Sequence, residues 1–475
     1  MKSREIKKVL IANRGEIAVR IIRACAEMDI RSVALYTEPD RYALHVKRAD
    51  EAYCIGAEPL AGYLNPHRIV NLAIEAHCDA VHPGYGFLAE NPELAAICAQ
   101  RGLAFIGPDA EVIARMGDKT AARQAMIVAG VPVTPGSDGN LADLNDALRQ
   151  AAYISYPVML KATSGGGGRG IRRCDSEEEL VHNYERVISE ATKAFGSADV
   201  FLEKCILNPR HIEVQVLADK YGQVIHLFER DCSIQRRNQK LIEIAPSPQL
   251  TPELRAYVGD LAVRAAQAVG YENAGTVEFL LSGDQVYFME MNTRVQVEHT
   301  ITEEITGIDI VREQIRIAAG LPLQYRQEEV GFRGFALQFR INAEDARNGF
   351  VPSFGKISRY YAPGGPGIRV DTAIYTGYTI PPDFDSLCLK LVVWGLTWED
   401  VLNRGVRALG DIRLRGVKTT APYYQQILQH EDFRSGVFDT SFVDNHPELL
   451  QYSEKARPED VTTAIAAAIA AYAGL

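Results

Sequence analysis

The sequence predicts an α/β protein with an N-terminal parallel sheet, a middle block that contains a phosphate-binding lid, and a strand-rich C-terminal block. Three observations support this prediction. Strand-like and helix-like segments alternate in residues 1–115, a glycine-rich run separates two strand-like segments near residue 165, and polar residues alternate with apolar ones over residues 286–298. A chain of 475 residues is long enough for about three domains.

The N-terminal block has the βαβ pattern from which parallel sheets are built. Residues 9–12 form a short apolar run, residues 16–28 follow a helical pattern, and residues 32–36 form a second apolar run. We therefore expect a strand, a helix and a second, parallel strand in this order.

The middle block contains a glycine-rich run that suits phosphate binding. A short apolar run ends in Lys161, and residues 164–170 contain Ser164, four consecutive glycines, Arg169 and Gly170. Glycine lets consecutive backbone N–H groups approach phosphate oxygens without a Cβ in the way. The run is neither a Walker loop nor a Rossmann fingerprint. We interpret it as a nucleotide lid, with a flexible linker as the alternative.

Residues 286–298 place five polar side chains on one face, provided that the whole segment is an extended strand. These residues are Glu290, Asn292, Arg294, Gln296 and Glu298. A carboxylate with an amide suits a hard cation such as Mg²⁺, and an arginine beside a glutamine suits an oxyanion. The last carboxylate is then available as a base. The alternative is a solvated face of an edge strand.

The turn before this segment decides whether Glu278 joins the same face. A two-residue turn at residues 283–284 would place Glu278 opposite Met289, pointing away from Glu290. A three-residue loop at residues 283–285 would place Glu278 opposite Glu290. We predict the three-residue loop, and with it a Mg²⁺ site formed by Glu278, Glu290 and Asn292.

The C-terminal part divides into a strand-rich block, which opens at residues 335–341 and ends near residue 445, and a distinct tail. The tail follows a polar linker at residues 453–457 and starts with a proline and acidic residues, as helices often do. Ile465, Ile469 and Tyr472 form a narrow apolar stripe on this alanine-rich helix. Two interpretations stay open, a helix packed on the third block and a helix that docks a partner subunit.

Composition indicates a cytoplasmic enzyme. The net charge of −10 gives no support for nucleic-acid binding. No apolar stretch reaches membrane-spanning length, and the N-terminus lacks a signal-peptide core. The eight cysteines lack metal-ligand spacing, so we expect reduced thiols.

Several motifs in a fixed order resemble biotin carboxylase, a member of the ATP-grasp superfamily. The motifs are residues 11–18 (Ile-Ala-Asn-Arg-Gly-Glu-Ile-Ala), 82–91 (His-Pro-Gly-Tyr-Gly-Phe-Leu-Ala-Glu-Asn), 230–237 (Arg-Asp-Cys-Ser-Ile-Gln-Arg-Arg), 290–298 and 340–344 (Arg-Ile-Asn-Ala-Glu). The resemblance implies an N-terminal (pre-ATP-grasp) biotin carboxylase domain at residues 1–115 and an ATP-grasp domain at 116–332, with a mobile lid at about 133–203. It also implies a C-terminal biotin carboxylase domain at 333–445 and a linker with an alanine-rich tail helix at 446–475.

The same resemblance implies an ATP-dependent ligase that carboxylates biotin N1 with bicarbonate through carboxyphosphate, with Mg²⁺ or Mn²⁺. Glu298 would remove the bicarbonate proton, Arg340 would bind biotin and stabilise its enolate, and Lys240 and Arg294 would complete the catalytic set. Bicarbonate would contact Lys240, Arg294, Gln296 and Val297, and the metal would bind to Glu278, Glu290 and Asn292. The residues that would surround ATP are Lys119, Lys161, Gly167, Gly168, Glu203, Lys204, Ile206, His211, Gln235, Asn238, Glu278 and Glu290.

One departure from the family pattern lies at Asn238, where the family usually has histidine. An amide still donates and accepts hydrogen bonds, so the exchange concerns nucleotide affinity and not the reaction. The chain has no lysine flanked by methionines and no carboxyltransferase domain after its third block. We therefore expect biotin on a separate carrier or carboxyltransferase subunit, with this chain as a homodimer in a larger hetero-oligomer.

The alanine-rich tail resembles that of the biotin carboxylase subunit of two-subunit pyruvate carboxylases, and we predict that identity. The alternative is the same subunit of an acetyl-CoA or other acyl-CoA carboxylase. Two further alternatives are an ATP-grasp ligase that joins a carboxylate to an amine and a regulatory subunit without catalysis. The presence of both Glu298 and Arg340 argues against them.

Overall fold

The computed structural model describes residues 4–137, 139–163, 170–196, 198–453 and 458–474. Gly167 and Gly168, two of the predicted ATP ligands, lie outside the described residues, as do Ser164 and Arg169. Within the described ranges, no helix has both the length and the apolar character needed to cross a bilayer.

A parallel sheet forms the N-terminal block. Its elements are β1 (Lys8–Ile11), α1 (Gly15–Glu27), β2 (Arg31–Tyr36), α2 (Leu44–Arg48), β3 (Glu51–Cys54), α3 (Pro66–Glu75), β4 (Ala80–His82), α4 (Pro92–Gln100), β5 (Ala104–Phe105) and α5 (Ala110–Gly117). The strand order is β3-β2-β1-β4-β5. Because β1 and β2 pair in parallel around α1, the predicted strand–helix–strand unit is confirmed. Helix α1 buries Ile17, Ile21 and Cys25 in one core cluster, at the spacing of an amphipathic helix.

A small antiparallel sheet with its own core follows. Its elements, with the helix that leads into them, are α6 (Lys119–Val128), α7 (Leu144–Ile154), β6 (Val158–Ala162), β7 (Ile171–Cys174), α8 (Glu177–Phe195) and β8 (Val200–Lys204). Strand β6 pairs with both β7 and β8. Val158 and Leu160 are buried under the helices, whereas Lys161 projects from the opposite face. The apolar run before the glycines is therefore a strand that carries its lysine away from this core.

A large antiparallel sheet supports the candidate site and continues into the third block. Its elements and the attached helices are β9 (Arg210–Ala218), β10 (Val224–Arg236), β11 (Gln239–Ala245), α9 (Pro252–Ala268), β12 (Asn273–Ser282), β13 (Gln285–Asn292), α10 (His299–Thr306), α11 (Ile310–Ala318) and β14 (Phe335–Asn342). The strand order is β13-β12-β9-β10-β11-β14, and two strands of the third block complete it. Strands that are distant in sequence thereby place their polar residues side by side.

The third block packs short strands and helices on the end of this sheet. It contains β15 (Glu344–Asp345), β16 (Val351–Pro352), β17 (Gly355–Lys356), β18 (Arg359–Tyr361), β19 (Ile368–Thr372), β20 (Thr379–Ile380), β21 (Leu387–Gly395), α12 (Trp398–Asp411), β22 (Arg413–Arg415), α13 (Ala421–Gln429), α14 (Glu431–Ser435) and α15 (Phe442–Asn445). Strand β21 lies between β14 and β19 in the large sheet. The predicted α/β class, with an N-terminal parallel sheet and a strand-rich third block, is confirmed.

The hairpin of β12 and β13 places Glu278 opposite Glu290, as predicted, but the predicted loop is wrong. Ser282 pairs with Gln285, so the turn contains only residues 283 and 284. Gly283 has a φ of 58°, which a two-residue hairpin turn with glycine at its first central position requires.

A β-bulge corrects the register that this short turn would otherwise impose. Phe279 pairs with Phe288, whereas Glu278 pairs with Glu290, so Met289 is the extra residue on its strand. The inserted residue shifts the pairing by one position between the turn and the site. The two carboxylates therefore face each other for a reason that the turn residues alone do not reveal.

The condition for one polar face through Glu298, a strand that stays extended throughout, is not met, because β13 ends at Asn292. Residues 293–296 are irregular, and the chain turns at residues 297 and 298 into α10. The tail forms the predicted helix, α16 (Pro458–Ala473), on which Ile465, Ile469 and Tyr472 are 55%, 63% and 97% exposed. These exposures contradict a stripe packed on the third block, whereas the docking interpretation stays a prediction.

Candidate active site

Lys240 is the centre of the candidate site, on strand β11. Its Nζ donates to Glu278 Oε1 at 2.9 Å, to Glu298 Oε1 at 2.7 Å and to Glu213 Oε2. Burial alone would lower the pKa of the ammonium, but the three carboxylates outweigh it and hold the pKa well above its ordinary value. Lys240 therefore stays charged, and it connects β9, β12 and the turn before α10 through these three carboxylates.

Glu298, the predicted base, is fully buried between two cations. Its Oε2 accepts from Arg340 at 3.1 Å, while its Oε1 accepts from Lys240. Arg340, on β14, also donates through Nε to Glu243 Oε1 at 2.5 Å. Burial raises the pKa of Glu298, but Lys240, Arg340 and Arg230 together lower it below its ordinary value. The side chain is therefore a carboxylate held against two positive charges.

Glu278 connects the predicted metal, bicarbonate and ATP ligands. Its Oε1 accepts from Asn292 at 2.8 Å and from Gln296 at 2.7 Å, and its Oε2 lies 2.7 Å from His211 Nε2. Burial raises the pKa of Glu278, but Lys240 and His211 hold it well below its ordinary value. The site thus brings together residues from β9, β12, β13 and the turn that follows β13.

The residues present fit a divalent cation at the Glu278–Glu290 pair. Burial and the neighbouring Glu278 charge raise the pKa of Glu290, while Lys119 at the start of α6 opposes this rise. Two carboxylates that face each other across a strand pair repel, and an added cation relieves the repulsion. Asn292, on the same strand as Glu290, would add its amide oxygen, which here accepts from Arg294 while the amide nitrogen donates to Glu278. Two carboxylates and one amide oxygen are ligands that Mg²⁺ prefers.

Arg294 joins the site to the N-terminal block. Its Nε donates to Glu90 Oε2 at 2.9 Å, and its NH2 group donates to Asn292 Oδ1 at 3.0 Å. The carbonyl of Val297 accepts from Lys390 Nζ at 2.9 Å, and this buried lysine also contacts Glu16 of α1 at 3.0 Å. Two of the four predicted bicarbonate ligands, Arg294 and Val297, are therefore held by residues of other blocks.

The remaining predicted ATP ligands form a second group on the small sheet and on the β10–β11 hairpin. Lys161 pairs with Glu203 at 2.5 Å, whereas Lys204 donates to the backbone carbonyls of Ser155 and Tyr156 at 3.0 and 2.9 Å. Ile206 follows β8 in the chain. These contacts place Lys161 and Glu203 together and direct Lys204 to the backbone.

The hairpin residues Gln235 and Asn238 lie at the Lys240 end of β10. Gln235 pairs directly with Lys240 across the strands, and Asn238 is exposed in the turn. Arg237 and Asn238 have φ values of 50° and 63°, in the left-handed region that asparagine tolerates better than most residues. The turn therefore gives a conformational reason for asparagine at this position.

Sequence reasoning gave no role to three buried residues that support the site, Glu213, Arg230 and Glu243. Arg230 is fully buried and contacts Glu213, Gln215 Oε1 at 2.8 Å and two threonine hydroxyls at 3.0 Å, those of Thr276 and Thr302. A signal existed in β9, where polar residues 211, 213 and 215 alternate with apolar residues 212, 214 and 216. This alternation predicts a polar strand face next to the site.

Three family models match the chain in the order of its blocks. The model described as "Biotin carboxylase, N-terminal domain" matches residues 5–113. That described as "Carbamoyl-phosphate synthase L chain, ATP binding domain" matches residues 118–326, and "Biotin carboxylase C-terminal domain" matches residues 338–445.

Two curated proteins are similar to nearly the whole chain. The 2-oxoglutarate carboxylase small subunit of Hydrogenobacter thermophilus is 57% identical over 99% of this chain and 100% of its own length. A pyruvate carboxylase subunit of Methanothermobacter thermautotrophicus is 52% identical over 92% of this chain and 90% of its own length.

A solved structure agrees in fold over almost the full length. It is the biotin carboxylase domain dimer of Hydrogenobacter thermophilus 2-oxoglutarate carboxylase, in complex with MgADP, ADP and bicarbonate. It superposes with a TM-score of 0.93 at 57% identity, covering 96% of this chain and 100% of that chain. These matches confirm the resemblance to biotin carboxylase and the enzyme class, an ATP-dependent ligase. The chain belongs to the biotin carboxylase family.

Proposed function

We propose that this chain carboxylates N1 of biotin with bicarbonate, with conversion of ATP to ADP and phosphate, and that the biotin is carried by a separate subunit. The observation that supports this most directly is the position of Glu298 between Lys240 and Arg340. A buried carboxylate between two fixed cations is a site at which an anionic substrate can be bound and deprotonated.

In the first step, Lys240, Arg294, the Gln296 amide and the Val297 backbone hold bicarbonate against ATP. Glu298 accepts the bicarbonate proton, the freed oxygen forms a bond to the γ-phosphorus, and the bond to ADP breaks. Carboxyphosphate and ADP result. Bound bicarbonate shares the charges of Lys240 and Arg340, so the pKa of Glu298 rises toward the value that a base needs.

ATP lies between the small sheet and the large sheet in this proposal. The residues assigned to it are Lys119, Lys161, Gly167, Gly168, Glu203, Lys204, Ile206, His211, Gln235, Asn238, Glu278 and Glu290. Glu278, Glu290 and Asn292 would hold Mg²⁺, which neutralises the charge that develops on the phosphates during transfer. The protein contributes mainly by positioning the reacting oxygen and phosphorus atoms.

In the second step, carboxyphosphate breaks down to CO₂ and phosphate, and that phosphate takes the proton from biotin N1. The negative charge then lies on the biotin enolate, beside the Arg340 guanidinium, until N1 forms its bond to the carbon of CO₂ and the charge passes to the new carboxylate. A cation fixed where charge develops stabilises the transition state without reorganisation. Glu243, which holds Arg340 Nε, sets the orientation of that cation.

We further propose that the final acceptor is a 2-oxo acid. The sequence-based choice is pyruvate, and the match to a pyruvate carboxylase subunit supports it. The second candidate is 2-oxoglutarate, because the 2-oxoglutarate carboxylase small subunit is more similar and its match takes in nearly the whole chain, including the tail. The acceptor reacts on the partner subunit, so Glu298 and Arg340 serve either acid.

The proposed assembly is a homodimer of this chain bound to a biotin carrier and carboxyltransferase subunit in the cytoplasm. The dimer in the similar solved structure supports the first part. The exposed stripe of Ile465, Ile469 and Tyr472 on α16 supports a docking helix for the partner. All eight cysteines are free, which suits a reducing compartment.

The deciding experiment measures ADP release by the purified chain with ATP, Mg²⁺ and bicarbonate, with and without free biotin. We expect biotin to stimulate the release and Glu298→Gln to reduce the stimulated rate by about 100-fold or more. Glu253→Gln, an exposed glutamate in the first turn of α9, serves as the matched control and retains the activity. If neither biotin nor a biotinylated carrier protein stimulates the folded enzyme, the proposal is wrong.

A further inference from the structure

A cluster of two histidines and two carboxylates lies on the third block, among residues to which the proposed reaction gives no role. It consists of His430 and Asp432 at the start of α14 and of His446 and Glu448 just after α15; we call it the His430–His446 cluster. One potential ligand atom from each of His430, Asp432 and His446 lies within 4.8 Å of the others. The imidazole centroids are 4.1 Å apart.

The distances within the cluster suit tetrahedral coordination. Asp432 Oδ2 lies 3.4 Å from His446 Nε2 and 4.0 Å from His430 Nδ1. Metal–ligand distances of about 2.0–2.1 Å place tetrahedral ligand atoms about 3.3 Å apart. Small side-chain rotations therefore bring the three atoms to these positions. Coordination of the metal by His430 Nδ1 would replace the long hydrogen bond, 3.3 Å, that this nitrogen accepts from the Asp432 backbone.

Glu448 orients the imidazole rings for this role. Its Oε1 lies 2.9 Å from His446 Nδ1 and 3.8 Å from His430 Nε2. A proton on each of these two nitrogens leaves the lone pairs of His446 Nε2 and His430 Nδ1 directed to the Asp432 side. A carboxylate that fixes the tautomer of a ligating histidine is a recurrent feature of metal sites.

We propose that His430, Asp432 and His446 bind one Zn²⁺-class transition-metal ion, with water as the fourth ligand and Glu448 as the positioning residue. Two imidazoles with one carboxylate select such ions over Mg²⁺, which prefers oxygen ligands only. A cavity of about 440 Å³, lined in part by Asp432 and His446, provides the entry path. The ion would connect the start of α14 to the segment that leads toward the tail helix.

The test uses the untagged full-length chain, stripped with a chelator and titrated with Co²⁺ in a millimolar excess of Mg²⁺. We expect the visible absorption of four-coordinate Co²⁺ to saturate at one equivalent per chain, and Zn²⁺ to displace it and raise the Tm. No thiolate charge-transfer band should accompany it, because the ligands are nitrogen and oxygen. A thiolate band would assign the metal to a cysteine and overturn the proposal.

Three variants locate the site. His446→Gln should abolish the four-coordinate spectrum, and Glu448→Gln should keep the geometry but weaken binding by about 10- to 100-fold. His67→Gln is the matched control, because His67 also faces a carboxylate, Glu93 at 3.2 Å. The His67→Gln protein should bind Co²⁺ as the wild type does. Absence of stoichiometric binding by the wild type, or unchanged binding by Glu448→Gln and His446→Gln, would refute the proposal. None of these readouts depends on carboxylation activity.

Discussion

Buried ion pairs hold individual side chains of the site in place. Glu213 illustrates this, since it is fully buried on β9 and contacts both Lys240 and Arg230. A buried charge that keeps a partner costs little net free energy, whereas removal of one partner leaves the other unpaired in a poor solvent. In the proposed mechanism, such residues act on catalysis by fixing the position of Lys240.

Replacement of Glu213 should therefore reduce stability and activity together. We expect Glu213→Gln to lower the free energy of unfolding by about 3 kcal/mol, because Arg230 loses its only buried carboxylate contact among the described residues. The rate of ADP release should fall because Lys240 is less firmly placed. Urea denaturation and the biotin-stimulated assay check the two effects. Equal stability of Glu213→Gln and the control Glu253→Gln would contradict the prediction.

At the scale of elements, hairpin geometry decides which side chains meet. The bulge at Met289 brings Glu278 opposite Glu290, and the β10–β11 turn sets the pairing of Gln235 with Lys240. Both residues of this turn have positive φ, which matches the two-residue type I′ hairpin. In the proposed function, Asn238 therefore combines the turn conformation with a nucleotide contact.

Two substitutions of Asn238 separate these roles. Asn238→Gly keeps the left-handed backbone conformation and removes the amide, so the Tm should change little while the KM for ATP rises. Asn238→Val should cost about 1–2 kcal/mol of stability, because a β-branched residue is strained at positive φ. Thermal unfolding and ATP titration check both. An unchanged KM in the glycine variant would show that the amide does not contact ATP.

At the scale of the whole molecule, ion pairs join the three blocks. Glu303 of α10 contacts Arg20 of α1 at 2.9 Å and Arg369 of β19 at 2.8 Å. Burial raises the pKa of Glu303, but Arg20 and Arg369, with His299, lower it to about 2 from the ordinary 4.5. The Glu303 carboxylate therefore binds a proton more weakly in the folded chain than in the unfolded chain.

The stability of the chain should depend on pH through this carboxylate. The contribution of Glu303, about 3 kcal/mol, is fully present above pH 4.5 and is lost as the pH falls through about 2. In Glu303→Gln, the free energy of unfolding should fall less steeply over this interval than in the wild type. Denaturant titrations at several pH values check the slope. Parallel curves would show that the ion cluster does not contribute.

The tail helix should matter for assembly and not for catalysis with free biotin. Ile465→Glu with Ile469→Glu should leave that activity unchanged and should weaken binding of the biotin-carrying partner by about 2 kcal/mol or more, about 30-fold in Kd. Ala467→Glu with Ala471→Glu lies on the opposite side of α16 and is the matched control. Equal weakening of partner binding by both double variants would contradict the partner assignment. Dissociation of a homodimer of this chain, with partner binding unchanged, would also contradict it.

The sequence by itself determined the α/β class, the strand–helix–strand start, and the order of the motifs that carry Glu298 and Arg340. Local periodicity and motif spacing are properties of neighbouring residues, so they can be recognised without a structure. The family followed from the same motifs, and the comparisons confirmed it.

Only the tertiary structure decided how the site is assembled. The bulge at Met289, the end of β13 at Asn292 and the contacts of Glu90, Glu243 and Lys390 join segments that are far apart in sequence. Such contacts depend on strand pairing and on the burial of charges, which the alternation of residues along one strand does not encode. The sequence predicted candidate reacting groups, whereas packing between blocks fixed their partners and their charge states.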